Sequence, residues 1–268
     1  NLSAALLVLV CFVSFLVHTF SVAYMGSDAG INRYYFKLGF FTSSMLGLLV
    51  ADHLLLIFIF WELVGFSSYL LIGFWFEEEK NAQSSRIAFM TNRVADAGFL
   101  IGILLLMAFS DNHLISTLAP LEEAPWVTYV GIGLLMGALG KSAQFPFFTW
   151  LPHAMAGPTP VSALIHAATM VTAGVYLITR SNFIFDAAPT AQLLVVIVGA
   201  ITLLFGAIIG TAKDDIKKAL AASTMSQIGY MVLATGLGPV GYAFAIMHLL
   251  THGFFKAGMF LGAGSVMH

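Results

Sequence analysis

The chain has 268 residues, 59% of them hydrophobic and only 9% charged, and its mean hydropathy is +0.93. Soluble domains carry about 25% charged residues, so this composition excludes an ordinary water-facing globule. The net charge of −2 is uninformative about nucleic acid, because the eleven basic residues do not cluster into a basic face; no nucleic-acid partner is expected. Cys11 is alone, which leaves no disulfide framework and no multi-cysteine zinc or iron–sulfur site; it reads as a small packed residue.

Apolar runs near 20 residues mark membrane-spanning helices. They are predicted at roughly 2–23, 34–51, 53–76, 85–109, 127–150, 160–180, 190–212, 217–236 and 240–264, about nine helices in all. The connections are short, and no Ser/Gly linker or charged tail sets off a second unit. The predicted fold is therefore all-α, one polytopic transmembrane bundle over residues 1–268 in a lipid bilayer. No basic leader and cleavage site accompany the first segment. The start on Asn1-Leu2-Ser3, without an initiator Met, suggests a processed chain or, in preference, an internal piece of a longer one. Arg33, Lys37, Lys80, Arg86, Lys213, Lys217 and Lys218 border one set of loops, and Arg180 alone borders the other. The positive-inside rule then predicts the loops at 77–86 and 213–218 to be cytoplasmic. The loop with Asp111, Glu122 and Glu123 is predicted to face outward.

Several ionisable residues fall inside these apolar runs. A charge at the centre of a spanning helix costs roughly 3 kcal/mol on insertion scales. Such groups are therefore rare, face a bundle interior, and mark an ion or proton route. Glu62 follows the run Leu54-Leu55-Leu56-Ile57-Phe58-Ile59-Phe60-Trp61. Arg93 and Asp96, three apart on one helix face, can pair and spare each other the membrane cost; a purely structural ion pair is the alternative. Lys141 ends an apolar run and opens Lys141-Ser142-Ala143-Gln144-Phe145-Pro146. Pro146 removes a backbone donor, and a break at membrane depth survives only against protein or water. A discontinuous helix is expected near Pro146, with Lys141 facing Glu62 or a water-filled gap. Broken helices are a recurring way to build ion sites at the midplane of transporters. In Gly157-Pro158-Thr159-Pro160-Val161, Thr159 reads as an N-cap and Pro160 as the first helical residue.

His248, His252 and Lys256 repeat at spacings of four and share one helix face. His248 and His252 could serve as a metal or haem pair, but no Asp, Glu or Cys lies in the segment to complete a zinc shell. Histidine titrates near neutral pH, so the stripe fits a water-linked proton relay, with satisfied packing as the plain alternative. His18, His53, His113, His153 and His268 lie near segment ends and read as structural.

The stretches Trp61-Glu62-Leu63-Val64-Gly65-Phe66-Ser67-Ser68-Tyr69, Gly140-Lys141-Ser142-Ala143-Gln144-Phe145-Pro146, Gly157-Pro158-Thr159-Pro160-Val161-Ser162-Ala163-Leu164-Ile165-His166 and His248-Leu249-Leu250-Thr251-His252-Gly253-Phe254-Phe255-Lys256 carry a resemblance. They are similar to the antiporter-like membrane subunits of respiratory complex I, of the NADH-quinone oxidoreductase chain 5 or subunit L type. The resemblance runs nearly end to end. It implies that Glu62 and Lys141 pair in an input half-channel, that His166, His248, His252 and Lys256 form a central hydrophilic axis, and that Arg93 and Asp96 modulate. It implies a proton translocase acting only as part of NADH:quinone oxidoreductase, in an energy-transducing membrane such as the bacterial cytoplasmic membrane. The implied partners are the other membrane and peripheral subunits, above all a neighbouring antiporter-like subunit. NADH, FMN, iron–sulfur clusters and quinone are expected in those subunits, because this chain has no glycine-rich dinucleotide motif. Family members extend further in both directions, so a later broken helix and a long lateral helix would lie outside this piece. The alternatives are a Na⁺/H⁺ antiporter subunit, a membrane hydrogenase or inorganic-carbon uptake subunit, and a transport-inactive scaffold. Antiporter homologues carry a lysine where this chain has Thr172, which favours the complex I type.

Overall fold

With no water in a bilayer, each backbone polar group must be paired inside the protein, and this chain meets that demand with helices. The computed structural model describes residues 2–110, 114–116, 121 and 123–267. The helices are α1 (Leu2–Tyr24), α2 (Ile31–Val50), α3 (Leu54–Ile72), α4 (Glu79–Phe109), α5 (Pro125–Lys141), α6 (Trp150–His153), α7 (Thr159–Ala167), α8 (Ala173–Arg180), α9 (Asn182–Asp186), α10 (Pro189–Thr211), α11 (Ile216–Thr235) and α12 (Pro239–Met267). Short 3-10 turns lie at Phe147–Thr149, Ala154–Ala156 and Met170–Thr172. Among the described residues there is no strand, only an isolated bridge between His53 and Leu114.

Among the described residues, six segments are long and apolar enough to cross a membrane: α1, α3, α4, the α7–α8 pair taken together, α10 and α12. The three other predicted spans are helical but fall short of that standard. α5 has only 17 residues, while α2 and α11 carry Arg33, Lys37, Lys217 and Lys218 in their opening turns. They remain integral to the bundle, with α2 against α3, α5 against α4, and α11 against α10. Small residues set these seams, as membrane packing requires. A Cβ on Gly102 would stand 3.0 Å from the Gly133 Cα, and one on Gly229 would stand 2.6 Å from the Leu203 backbone nitrogen. The α7–α8 segment is the axle, enclosed on all sides. α10 lies at the periphery, burying little beyond Ala191, Val195, Gly199, Thr202 and Gly206.

Two helices are interrupted. The first break lies near Pro146, as expected, but α5 already ends at Lys141. Ala143 takes φ 51° and the Phe145–Pro146 peptide is cis. A left-handed alanine costs roughly 1–2 kcal/mol, and surrounding bonds hold it there. Trp150 Nε1 donates to Gly140 O at 2.9 Å, and the Phe145 amide donates to Thr202 Oγ1 at 3.0 Å. The second break, between α7 and α8, was not expected, because no proline marks it. Thr169 turns its hydroxyl back onto Leu164 O at 2.6 Å, and the backbone leaves the helix at Ala168 and Thr169. The breaks touch: Ser142 Oγ donates to Val171 O at 2.8 Å.

Three local expectations are corrected. Thr159 is the first residue of α7 rather than its N-cap, which is Pro158, and Pro160 follows at the second position. Thr159 Oγ1 instead meets the Tyr24 hydroxyl at 3.1 Å. Cys11 is exposed, because the buried stripe of α1 runs through Leu6, Leu9, Val10, Val13 and Val17 and leaves position 11 on the outer face.

The charge asymmetry maps onto two ends of the bundle. Lys80, Lys213, Lys217 and Lys218 line one cavity, and Arg33 stands 3.9 Å from Glu77. At the other end Arg180 donates to Asp52 at 3.0 Å, and the Ser116 amide donates to the same carboxylate at 3.1 Å. Asp111, His113, Glu122 and His268 lie outside the described residues.

Candidate functional site

Two polar clusters occupy the interior. In the first, α4 packs against both α3 and α5, and Asp96 is its hub. The Asp96 carboxylate accepts from Lys141 Nζ at 2.9 Å and from Trp61 Nε1 at 2.7 Å. Arg93 Nη2 stands 3.4 Å from the same carboxylate, a Coulombic contact without hydrogen-bond geometry, and Arg93 Nη1 pairs with Glu62 Oε2. The expected Arg93–Asp96 pairing is therefore present. The implied direct pairing of Lys141 with Glu62 is not. Arg93 and Asp96, one turn apart on α4, stand between them and give the order Glu62, Arg93, Asp96, Lys141.

Two acids face two bases, so the cluster is formally neutral, which is the condition for keeping such charges in a low-dielectric interior. It is also graded. Lys141 and Asp96 are fully enclosed, while the side chains of Glu62 and Arg93 are 25% and 28% exposed. The row thus runs from the core towards the periphery. Lys141 Nζ lies 5.8 Å from the Trp61 ring centroid, within cation–π range. Gly65 makes room for both cations: a Cβ there would stand 2.8 Å from Arg93 Nη2 and 2.9 Å from Lys141 Nζ.

The second cluster is built by α12 against α7 and α11. His252 and Lys256 are buried; His248 is half-buried. The His248 and His252 ring centroids are 6.3 Å apart, and each imidazole has its own partner. His248 Nε2 bonds Gln227 Oε1 at 2.8 Å. His252 Nδ1 lies 3.2 Å from Ala167 O, a carbonyl freed by the second break. A carbonyl only accepts, so Nδ1 carries the proton and Nε2 presents a lone pair, with no protein partner. Lys256 Nζ donates to Ser223 Oγ at 2.9 Å, and among the described residues no carboxylate pairs with it. His166, in the last turn of α7, is fully buried with both ring nitrogens lacking a protein partner. Its ring lies 5.1 Å from Phe260. Among the described residues no three His, Cys, Asp or Glu side chains converge.

The end-lying histidines have structural partners where a bond is seen. His18 Nδ1 lies 2.7 Å from Ser14 O, and the His53 ring accepts from the Leu55 amide at the start of α3. Sequence reasoning missed Trp61, Gly65, Ser223 and Gln227. Ser223 and Gln227 repeat at the same spacing of four as the α12 stripe they face, a signal visible only once the two helices are known to pack. Trp61 precedes Glu62 directly, yet its indole serves Asp96 from another helix.

A family profile described as NADH:quinone oxidoreductase/Mrp antiporter, TM, matches residues 51–268, and one described as NADH-Ubiquinone oxidoreductase (complex I), chain 5 N-terminus, matches residues 1–35. The chain is 58% identical, over its whole length, to NADH-quinone oxidoreductase subunit L of Mycobacterium tuberculosis, covering 43% of that protein. It is 45% identical to F(420)H(2) dehydrogenase subunit L of Methanosarcina mazei, covering 44%. The chain thus spans under half the length of these relatives. Among solved structures, a chain of the Mrp complex from Dietzia sp. superposes on all of it with a TM-score of 0.95 at 33% identity, and the match covers 30% of that chain. With a profile matching most of its length and the helical architecture to go with it, the chain belongs to the NADH:quinone oxidoreductase/Mrp antiporter transmembrane family.

Proposed function

We propose that the chain is the proton-translocating membrane part of an NADH:quinone oxidoreductase, moving H⁺ while electron transfer takes place in other subunits. The single observation that supports this most is the buried Lys141–Asp96 pair, continued towards the periphery by Arg93 and Glu62. A lysine enclosed in apolar protein gives up its proton readily, and a carboxylate at bonding distance restores the charged form. Withdrawing Asp96 from Lys141 therefore releases a proton, and restoring it takes one up. Arg93, between the two acids, can hold either carboxylate and so decides whether Asp96 stays with Lys141. The His166, His252 and Lys256 groups, with imidazole nitrogens free of protein partners, extend the route through bridging water. NADH, FMN, iron–sulfur clusters and quinone belong to partner subunits, and the end carrying Lys80 and Lys213 faces the cytoplasm.

The test uses the whole complex carrying Lys141→Ala or Glu62→Ala, reconstituted in vesicles. Proton uptake should fall to background while electron transfer from NADH persists; wild-type pumping by both variants would overturn the reading. Lys141→Arg should also fail, because arginine stays protonated at any accessible pH. A second reading, cation/proton antiport, is favoured by the family description, which names the Mrp antiporter beside the oxidoreductase, and by the likeness to the Mrp complex chain. Proton movement that requires Na⁺ on the opposite side would select it.

A further inference from the structure

Away from the buried clusters, two cavities adjoin beside α6. The first, about 580 Å³, lies at the basic end and is lined by Lys80, Lys213, Lys217, Lys218 and His153 among others. The second, about 310 Å³, runs between α6 and the α10–α11 pair past Phe148, Leu151, Ile209, Ala222 and Met225. They share Pro152, His153, Lys213 and Lys218, so a polar, basic chamber continues into an apolar groove. On the groove wall Phe148 packs at a tilt against Phe205, which is 49% exposed, and the nearby Ile208 is 58% exposed.

The charge in the chamber is available. Of its acids, Asp215 accepts from the Lys218 amide as the cap of α11, and Glu78 accepts from Asn81. Lys217 is occupied, donating to Met155 O and Gly157 O. Among the described residues no carboxylate pairs with Lys80, Lys213 or Lys218. Basic residues at the junction of headgroup and acyl depth attract anionic lipid. A free phosphate would use the chamber and leave the groove unfilled; an acyl chain alone would leave the lysines unpaired. Only an amphiphile with an anionic head fills both.

We propose that the paired cavities hold one anionic phospholipid, its phosphate between Lys213 and Lys218 beside His153 and an acyl chain along Phe148, Ile209 and Met225. Such a lipid braces α6, which follows the first break and is tied through Trp150 to Gly140, next to Lys141. The proposal concerns this surface and stands apart from the route of the protons.

The experiment delipidates the assembled complex and measures rebinding of phosphatidylglycerol, phosphatidylcholine and inorganic phosphate, with bound lipid counted by mass spectrometry. Phosphatidylglycerol should rebind in preference to phosphatidylcholine. The Lys213→Gln/Lys218→Gln variant should weaken it about thirtyfold, the worth of two lysines at an anionic lipid surface, and the Arg/Arg variant should restore it. Ile209→Trp, which blocks the groove with both lysines in place, should lower it as well and keeps the test alive if the double variant fails to assemble. Equal binding of the two lipids, wild-type affinity in the Gln/Gln variant, or a site filled equally well by inorganic phosphate would overturn the proposal. So would a groove found occupied by a neighbouring subunit.

Discussion

The two buried clusters solve the same problem in opposite ways. Around Asp96 each charge has an opposite charge in reach: Lys141 and Arg93 against Asp96 and Glu62. In the Lys256 cluster no acid is found among the described residues; Lys256 donates to the Ser223 hydroxyl, His248 meets the Gln227 amide and His252 the freed Ala167 carbonyl. The first cluster holds its charges by compensation, so its members depend on one another. The second holds groups that can stand neutral, so each tolerates loss of its neighbour in stability terms. A charge that moves through the protein needs both kinds of place, one that stabilises the ion and one that releases it.

The sharpest break of that comparison is Asp96→Asn. It leaves the enclosed Lys141 ammonium without its carboxylate, and removing one partner of a buried pair costs about 3–5 kcal/mol. Assembly or thermal stability of the complex should fall by that order, and proton pumping with it. Unchanged stability would mean that Lys141 is already neutral in the resting protein.

Gly65→Ala is the next largest. Its methyl group would press on Arg93 Nη2 and Lys141 Nζ together, and overpacking of a tight interior costs about 1–3 kcal/mol. Because both displaced groups are cations of the same cluster, pumping should fall more than electron transfer. A loss of both in proportion would mark a purely structural glycine.

Thr169→Val tests the second break at a smaller scale. Losing the hydroxyl bond to Leu164 O should cost about 1 kcal/mol, read as a shift in the melting of the complex. Lys256→Met should cost the least. With no ion-pair partner to orphan, replacing a buried lysine by an apolar side chain of similar length is close to neutral or mildly stabilising. Its effect should appear in proton transport alone, and a destabilisation as large as that of Asp96→Asn would erase the distinction between the clusters.

Much of this was legible in the amino-acid sequence, for physical reasons. Hydrophobic runs fix where helices lie, because a bilayer accepts little else, and Glu62, Asp96, Lys141 and Lys256 stood out because charge inside such runs is costly. Pro146 announced the first break through its missing amide. The basic residues at 33–37, 80–86 and 213–218 sorted the ends of the bundle before any packing was known.

What the sequence left open were the relations between helices. It placed Arg93 and Asp96 on one face but not between Glu62 and Lys141, since that depends on α4 lying against both α3 and α5. It offered no sign of the second break, because Thr169 leaves the helix through a hydroxyl bond and through contacts from Ser142 and His252, all supplied by the tertiary fold. Nor could it pair Lys256 with Ser223 or His248 with Gln227, for periodicity fixes which residues share a face and not which face they meet. Burial cost is a property of one residue in its own segment, and so it is written in the chain; the partner that offsets the cost comes from another segment, and only packing decides it.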